Sequence, residues 1–103
     1  MQAGYTYIWR YLVLPDSASA FEKAYGPKGA WVKLFKKHDG YLRTELHKDA
    51  GDSGQYVTID YWESQDAYHA FREKSAKAYK KLEDKYASIT NQQVYIGEFG
   101  MVE

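Results

Sequence analysis

The sequence predicts an α+β fold with element order β-α-α-β-β-α-β and a four-stranded antiparallel sheet. Three observations carry this expectation. Four segments are dense in β-branched and aromatic residues and are bounded by Pro, Gly or Asp. One long segment keeps an apolar period of 3.6 residues. A hexapeptide rich in Gly and Asp separates the two middle strand segments and reads as a hairpin loop.

The first strand spans Tyr5 to Leu14 and ends at Pro15. Tyr7, Trp9, Tyr11 and Val13 alternate on one face; Ile8, Arg10, Leu12 and Leu14 take the other. A strand apolar on both faces belongs in the middle of a sheet. Asp16 or Ser17 caps a helix through Tyr25, with Phe21, Ala24 and Tyr25 inward, and Gly26-Pro27 breaks it. A second helical piece covers Lys28 to Lys37, with Trp31, Leu34 and Phe35 as its stripe.

Tyr41–Lys48 and Gln55–Trp62 follow as strands around the loop 49–54. Ser64 then caps one helix from about Gln65 to Tyr86. Tyr68, Phe71, Ser75, Ala78, Tyr79, Leu82 and Tyr86 form its inward stripe. Gln93 to Met101 is the last strand. This is the split β-α-β, ferredoxin-like pattern with a broken first helix. Right-handed crossovers place every helix on one face of the sheet and leave the other face bare.

A hairpin tip between Gly51 and Asp52 sets the expected register. Leu46 then faces Val57, Thr44 faces Ile59 and Leu42 faces Tyr61, giving an apolar face toward the helices. The opposite face pairs His47 with Tyr56, Glu45 with Thr58, Arg43 with Asp60 and Tyr41 with Trp62. On that reading Arg10, Tyr41, Arg43, Glu45, Asp60 and Trp62 form a homodimer interface, with Arg10 and Arg43 as partners for Asp60. Aromatic residues and paired charges together suit a covered but not dry surface.

Composition narrows the function classes. The chain has 103 residues, one domain's worth, with 14 Lys+Arg against 14 Asp+Glu. The missing basic surplus argues against a nucleic-acid partner. No Cys is present, which removes disulfides, thiolate metal sites and a Cys nucleophile. No apolar run reaches membrane-span length, and no signal peptide is recognised, so a soluble cytoplasmic protein is expected. Aromatic residues make up 17% of the chain, 11 of them Tyr. Tyr suits interfaces and ligand pockets, with an apolar body and a polar tip.

His38, His47 and His69 match no metal-ligand spacing. His38 sits at a helix end and His69 points to solvent. His47 is the one weak catalytic candidate, more simply read as a pH-sensitive interface residue. No G-x-S-x-G or Gly-rich phosphate loop occurs. What remains is an aromatic set, Tyr7, Trp9, Tyr11, Trp31, Phe35, Tyr68, Phe71 and Tyr95. It reads as plain core, or as a pocket for a flat aromatic lined by Tyr7, Trp9, Tyr11, Trp31, Tyr68 and Phe71.

The segments Gly40-Tyr41-Leu42-Arg43-Thr44-Glu45-Leu46 and Tyr61-Trp62-Glu63-Ser64-Gln65-Asp66-Ala67-Tyr68 resemble the second strand and the strand-to-helix junction of the antibiotic biosynthesis monooxygenase family. Element order and lengths match over nearly the whole chain. The resemblance implies a dimeric α/β barrel with a pocket in each subunit. It implies oxidation of a small aromatic or quinol-like substrate by molecular oxygen with no cofactor and no metal. Haem-degrading relatives carry a first-strand Asn and a helix His; here the helix position is Phe71 and the strand has no Asn. Two further readings stand beside the enzyme: a non-catalytic ligand-binding or stress-related dimeric barrel, and a dimerisation module whose aromatics are all core.

Overall fold

Strand β1, Tyr5–Leu12, lies at the centre of the sheet, as its two apolar faces require. The computed structural model describes residues 4–51 and 53–102. After β1 a short 3-10 turn over Pro15–Ser17 leads into α1, Ala18–Tyr25, and then α2, Ala30–Phe35. Strands β2, Tyr41–Lys48, and β3, Gln55–Trp62, form the expected hairpin; Asp52, at its expected tip, lies outside the described residues. Helices α3, Gln65–Lys74, and α4, Ala76–Tyr86, precede a second 3-10 turn and β4, Gln92–Gly100. The four strands are antiparallel neighbours in the order β2-β3-β1-β4.

The expected single long helix is two helices. Ser75 leaves helical geometry at φ −114°, ψ 25°, and its hydroxyl lies 2.7 Å from His38 Nε2. That bond ties the helix break to the end of α2, and His38 also meets Phe71 edge-on. The break shifts the phase of the apolar stripe, so Ala78 is exposed while Tyr79, Leu82 and Tyr86 still pack inward. Ser64 caps α3 as expected, accepting from the Ala67 amide at 3.1 Å. Ser17 makes no side-chain cap, since the 3-10 turn already feeds the chain into α1.

The hairpin register differs from the expected one. Tyr41 does face Trp62, but beyond it Arg43 pairs with Tyr61, Thr44 with Asp60, Glu45 with Ile59 and Leu46 with Thr58. A bulge at Leu42 inserts one extra residue, and a one-residue slip exchanges the faces of a strand. Tyr56, Thr58, Asp60 and Trp62 therefore turn toward the helices, and Val57, Ile59 and Tyr61 turn away. Gly40 makes the preceding turn at φ +89°, where a Cβ would also come within 2.5 Å of Ala67 Cβ.

The core lies between helices and sheet and is mostly aromatic. Phe21, Trp62 and Phe71 are wholly buried, with Tyr7 and Tyr56 nearly so. Phe35 packs against Trp62, Phe71, Trp31 and Tyr41 at centroid distances of 5.2–6.1 Å. Such tilted and edge-on contacts are the favoured aromatic arrangements.

Candidate functional site: an acid-floored aromatic cavity

A cavity of about 280 Å³ opens between the sheet and the helices. β1 supplies Trp9 and Tyr11, α1 supplies Tyr25, and α2 supplies Trp31 and Phe35. Tyr79 and Glu83 of α4 close one side, and Asn91, Gln92 and Gln93 form a polar rim. No residue of α4 is fully buried, so this helix covers the cavity without filling it.

On the sheet side the cavity is floored by Thr44, Thr58 and Asp60. Thr44 and Thr58 are buried, at 8% and 4% exposure. Thr44 Oγ1 donates to Asp60 Oδ1 at 2.7 Å. The Tyr41 hydroxyl sits 2.8 Å from Thr44 Oγ1. Thr44 has one proton and gives it to Asp60, so Tyr41 is the donor of that pair. The result is a chain from Tyr41 through Thr44 to Asp60. Among the described residues no cation pairs with Asp60. Burial pushes its carboxyl up from the ordinary 3.8 to about 6, and the Thr44 bond restrains the rise. Asp60 is half-buried and opens on the cavity, which suits its carboxylate to meet a ligand.

The cavity's hydroxyls are held in the donor form. Burial raises the Tyr11, Tyr25 and Tyr79 phenols, and Tyr25 is eased back by the Trp31 indole. They stay protonated through neutral pH and can donate to an oxyanion.

The sequence-selected residues divide cleanly. Trp9, Tyr11, Trp31 and Phe35 line the cavity. Tyr7, Tyr68 and Phe71 do not: Tyr7 stacks on Tyr68 at 3.7 Å, and Phe71 is wholly buried beside them. Tyr95 packs on Trp9 at 4.9 Å from the edge strand. Of the six residues assigned to a dimer face, Tyr41, Asp60 and Trp62 face the helices instead, because of the Leu42 bulge. Arg10, Arg43 and Glu45 do stand on the open face. Arg43 pairs with Glu45 at 3.5 Å and lies over the Tyr61 ring, so neither it nor Arg10 reaches Asp60. His47 hydrogen-bonds Glu45 at 3.0 Å on that same face, across the sheet from the cavity. His69 is exposed, as expected. Among the described residues no group of three or more His, Asp or Glu side chains could hold a metal ion.

Asp60 is the site residue that sequence reasoning missed. Its signal was the alternation Tyr56, Thr58, Asp60, Trp62, in which one acid interrupts an otherwise buried face.

This architecture has known counterparts. Residues 5–82 match the antibiotic biosynthesis monooxygenase family, and the chain belongs to it. Three solved structures share the fold. A variant of SnoaB, a cofactor-independent oxygenase from Streptomyces nogalater, is 16% identical with a TM-score of 0.73, covering 99% of this chain and 96% of its own. PA3566 from Pseudomonas aeruginosa is 18% identical with a TM-score of 0.72, covering 100% and 98%. Rv0793 from Mycobacterium tuberculosis is 18% identical with a TM-score of 0.73, covering 96% and 95%. No curated protein sequence matches the chain. Among the described residues no helix is long and apolar enough to cross a membrane.

Proposed function

We propose that the protein is a cofactor-independent monooxygenase acting on a small phenolic or quinol-like aromatic held in this cavity. The observation that carries the reading is the Asp60 carboxylate, raised to about 6 by burial and facing an aromatic-walled space. A general base works best with a pKa near the operating pH. Family membership and the likeness to SnoaB support oxygen chemistry.

The ring lies against Trp9 and Trp31, and the ionised Asp60 takes the proton of the substrate hydroxyl. The phenolate is electron-rich enough to reduce molecular oxygen. One oxygen atom bonds to the ring carbon, and the other leaves as water. A phenol and O₂ thus give a quinone and water, with every electron supplied by the substrate. The protonated Tyr11 and Tyr25 hydroxyls stabilise the developing oxyanion, and the aromatic walls keep bulk water out.

The open sheet face supports a homodimer as the working form. Ile8, Val57 and Ile59 are only partly covered there, and Ile96 and Phe99 are 45% and 47% exposed on the edge strand. A second copy laid on this face buries them and leaves each cavity on its own helix side.

The test is oxygen uptake by chelator-treated protein with a panel of phenols, naphthols and hydroquinones, with quinone formation followed by absorbance. Uptake is expected, and Asp60→Asn lowers it by about 10²–10⁴-fold. No uptake across the panel overturns the oxygenase reading.

A further inference from the structure

The charges lining the cavity are all of one sign. Asp60 lies on its floor and Glu83 at its mouth, and among the described residues no Lys, Arg or His lines it. Arg72 lies over the Tyr79 ring at 3.9 Å and is attracted by Glu83, but it is not among the lining residues. Beside the neutral Thr, Asn and Gln side chains, the walls are the aromatic rings of Trp9, Tyr11, Tyr25, Trp31, Phe35 and Tyr79. Aromatic faces attract a cation through the ring quadrupole, most strongly where water is excluded. A carboxylate or phosphate entering here meets repulsion from both acids and no donor cation. Asp60 adds a second point: Thr44 satisfies one of its oxygens, and no second donor reaches the carboxylate among the described residues.

We propose that the cavity selects a phenol whose far end carries a protonated amine, and rejects aromatics carrying an anionic group. This rests on the oxygenase reading for the position of the phenol on Asp60, and adds the charge class of the substrate. The ring fills the space between Trp9 and Trp31. The ammonium points outward toward the Glu83 carboxylate, since Arg72 already covers a face of Tyr79. Glu83 is exposed, so it steers and weakly holds the amine, and the aromatic faces supply the rest of the preference.

The experiment is calorimetric titration under argon at pH 8 with three matched probes: tyramine, 4-ethylphenol and 4-hydroxyphenylacetate. Without oxygen no turnover occurs, so the result is independent of whether the protein is an oxygenase. Tyramine is expected to bind about tenfold tighter than 4-ethylphenol, and 4-hydroxyphenylacetate about tenfold weaker. Glu83→Gln narrows the gap between tyramine and 4-ethylphenol several-fold. Equal affinities, a carboxylate that binds best, or no binding by any probe each overturn the charge selection. Oxygen uptake with uncharged phenols remains the separate test of the chemistry.

Discussion

An ionised carboxylate partly withdrawn from water costs stability, and Asp60 gives that cost a measurable pH dependence. Its carboxyl rises from 3.8 to about 6 on folding, equivalent to about 3 kcal/mol. The folded state binds its proton more tightly than the unfolded state does. Below pH 3.8 both states are protonated and no penalty exists. The penalty grows as pH rises from about 4 to 6, and above 6 it is fully present. Asp60→Asn removes the charge while its amide oxygen still accepts from Thr44. The variant is therefore expected to be more stable than the parent by about 1–3 kcal/mol at pH 8, the lower figure allowing for water in the cavity. Near pH 4 the two should differ little. Urea unfolding at fixed protein concentration, from pH 4 to 8, measures this. A variant equally or less stable at pH 8, or a difference that does not change with pH, refutes a low-dielectric Asp60. The same substitution removes the proposed base, so stability gained with activity lost is the expected signature.

Further expectations concern the neighbours of Asp60, the core and the open face. Thr44→Val removes the donor that restrains the carboxyl, so the rising limb of the rate profile moves up by about one pH unit; an unmoved limb contradicts the Thr44–Asp60 bond. Phe71→Ala empties a wholly buried site packed by Phe35, Trp62 and Tyr68 and is expected to cost about 3–5 kcal/mol in urea unfolding; a cost under 1 kcal/mol would be too small for that packing. Sedimentation should find the parent at twice 12.0 kDa at micromolar concentration. Ile59→Lys places a charge on the open face and should return the mass to 12.0 kDa with the helix-side core intact. A parent that sediments as a monomer removes the dimer from the account.

Much of the architecture is legible in the chain. Tyr5–Leu12 is apolar on both faces and sits centrally; Ser64 caps its helix; Gly40 turns where only glycine is comfortable. The register was not legible, for a physical reason. On β3 the residues Tyr56, Thr58 and Trp62 are as able to be buried as Val57, Ile59 and Tyr61, so alternation alone cannot choose a face. The choice is made by the bulge at Leu42, which has no marker in the sequence. One inserted residue turned Asp60 from an expected partner of Arg43 into the floor of the cavity. The helix break was hidden similarly. Ser75 fits a helical stripe, and only its bond to His38, 37 residues away, marks the break. Of the pocket residues, Trp9, Tyr11 and Trp31 followed from strand and helix phase. Tyr7, Tyr68 and Phe71 share those phases but lie where α3 closes on the sheet.

The most direct measurement is the titration of the Asp60 side-chain carboxyl carbon by NMR, assigned by its loss in Asp60→Asn. A midpoint near 6, moving upward in Thr44→Val, is the predicted result. A midpoint at or below the ordinary 3.8 would mean a solvated or ion-paired carboxylate and would contradict the account.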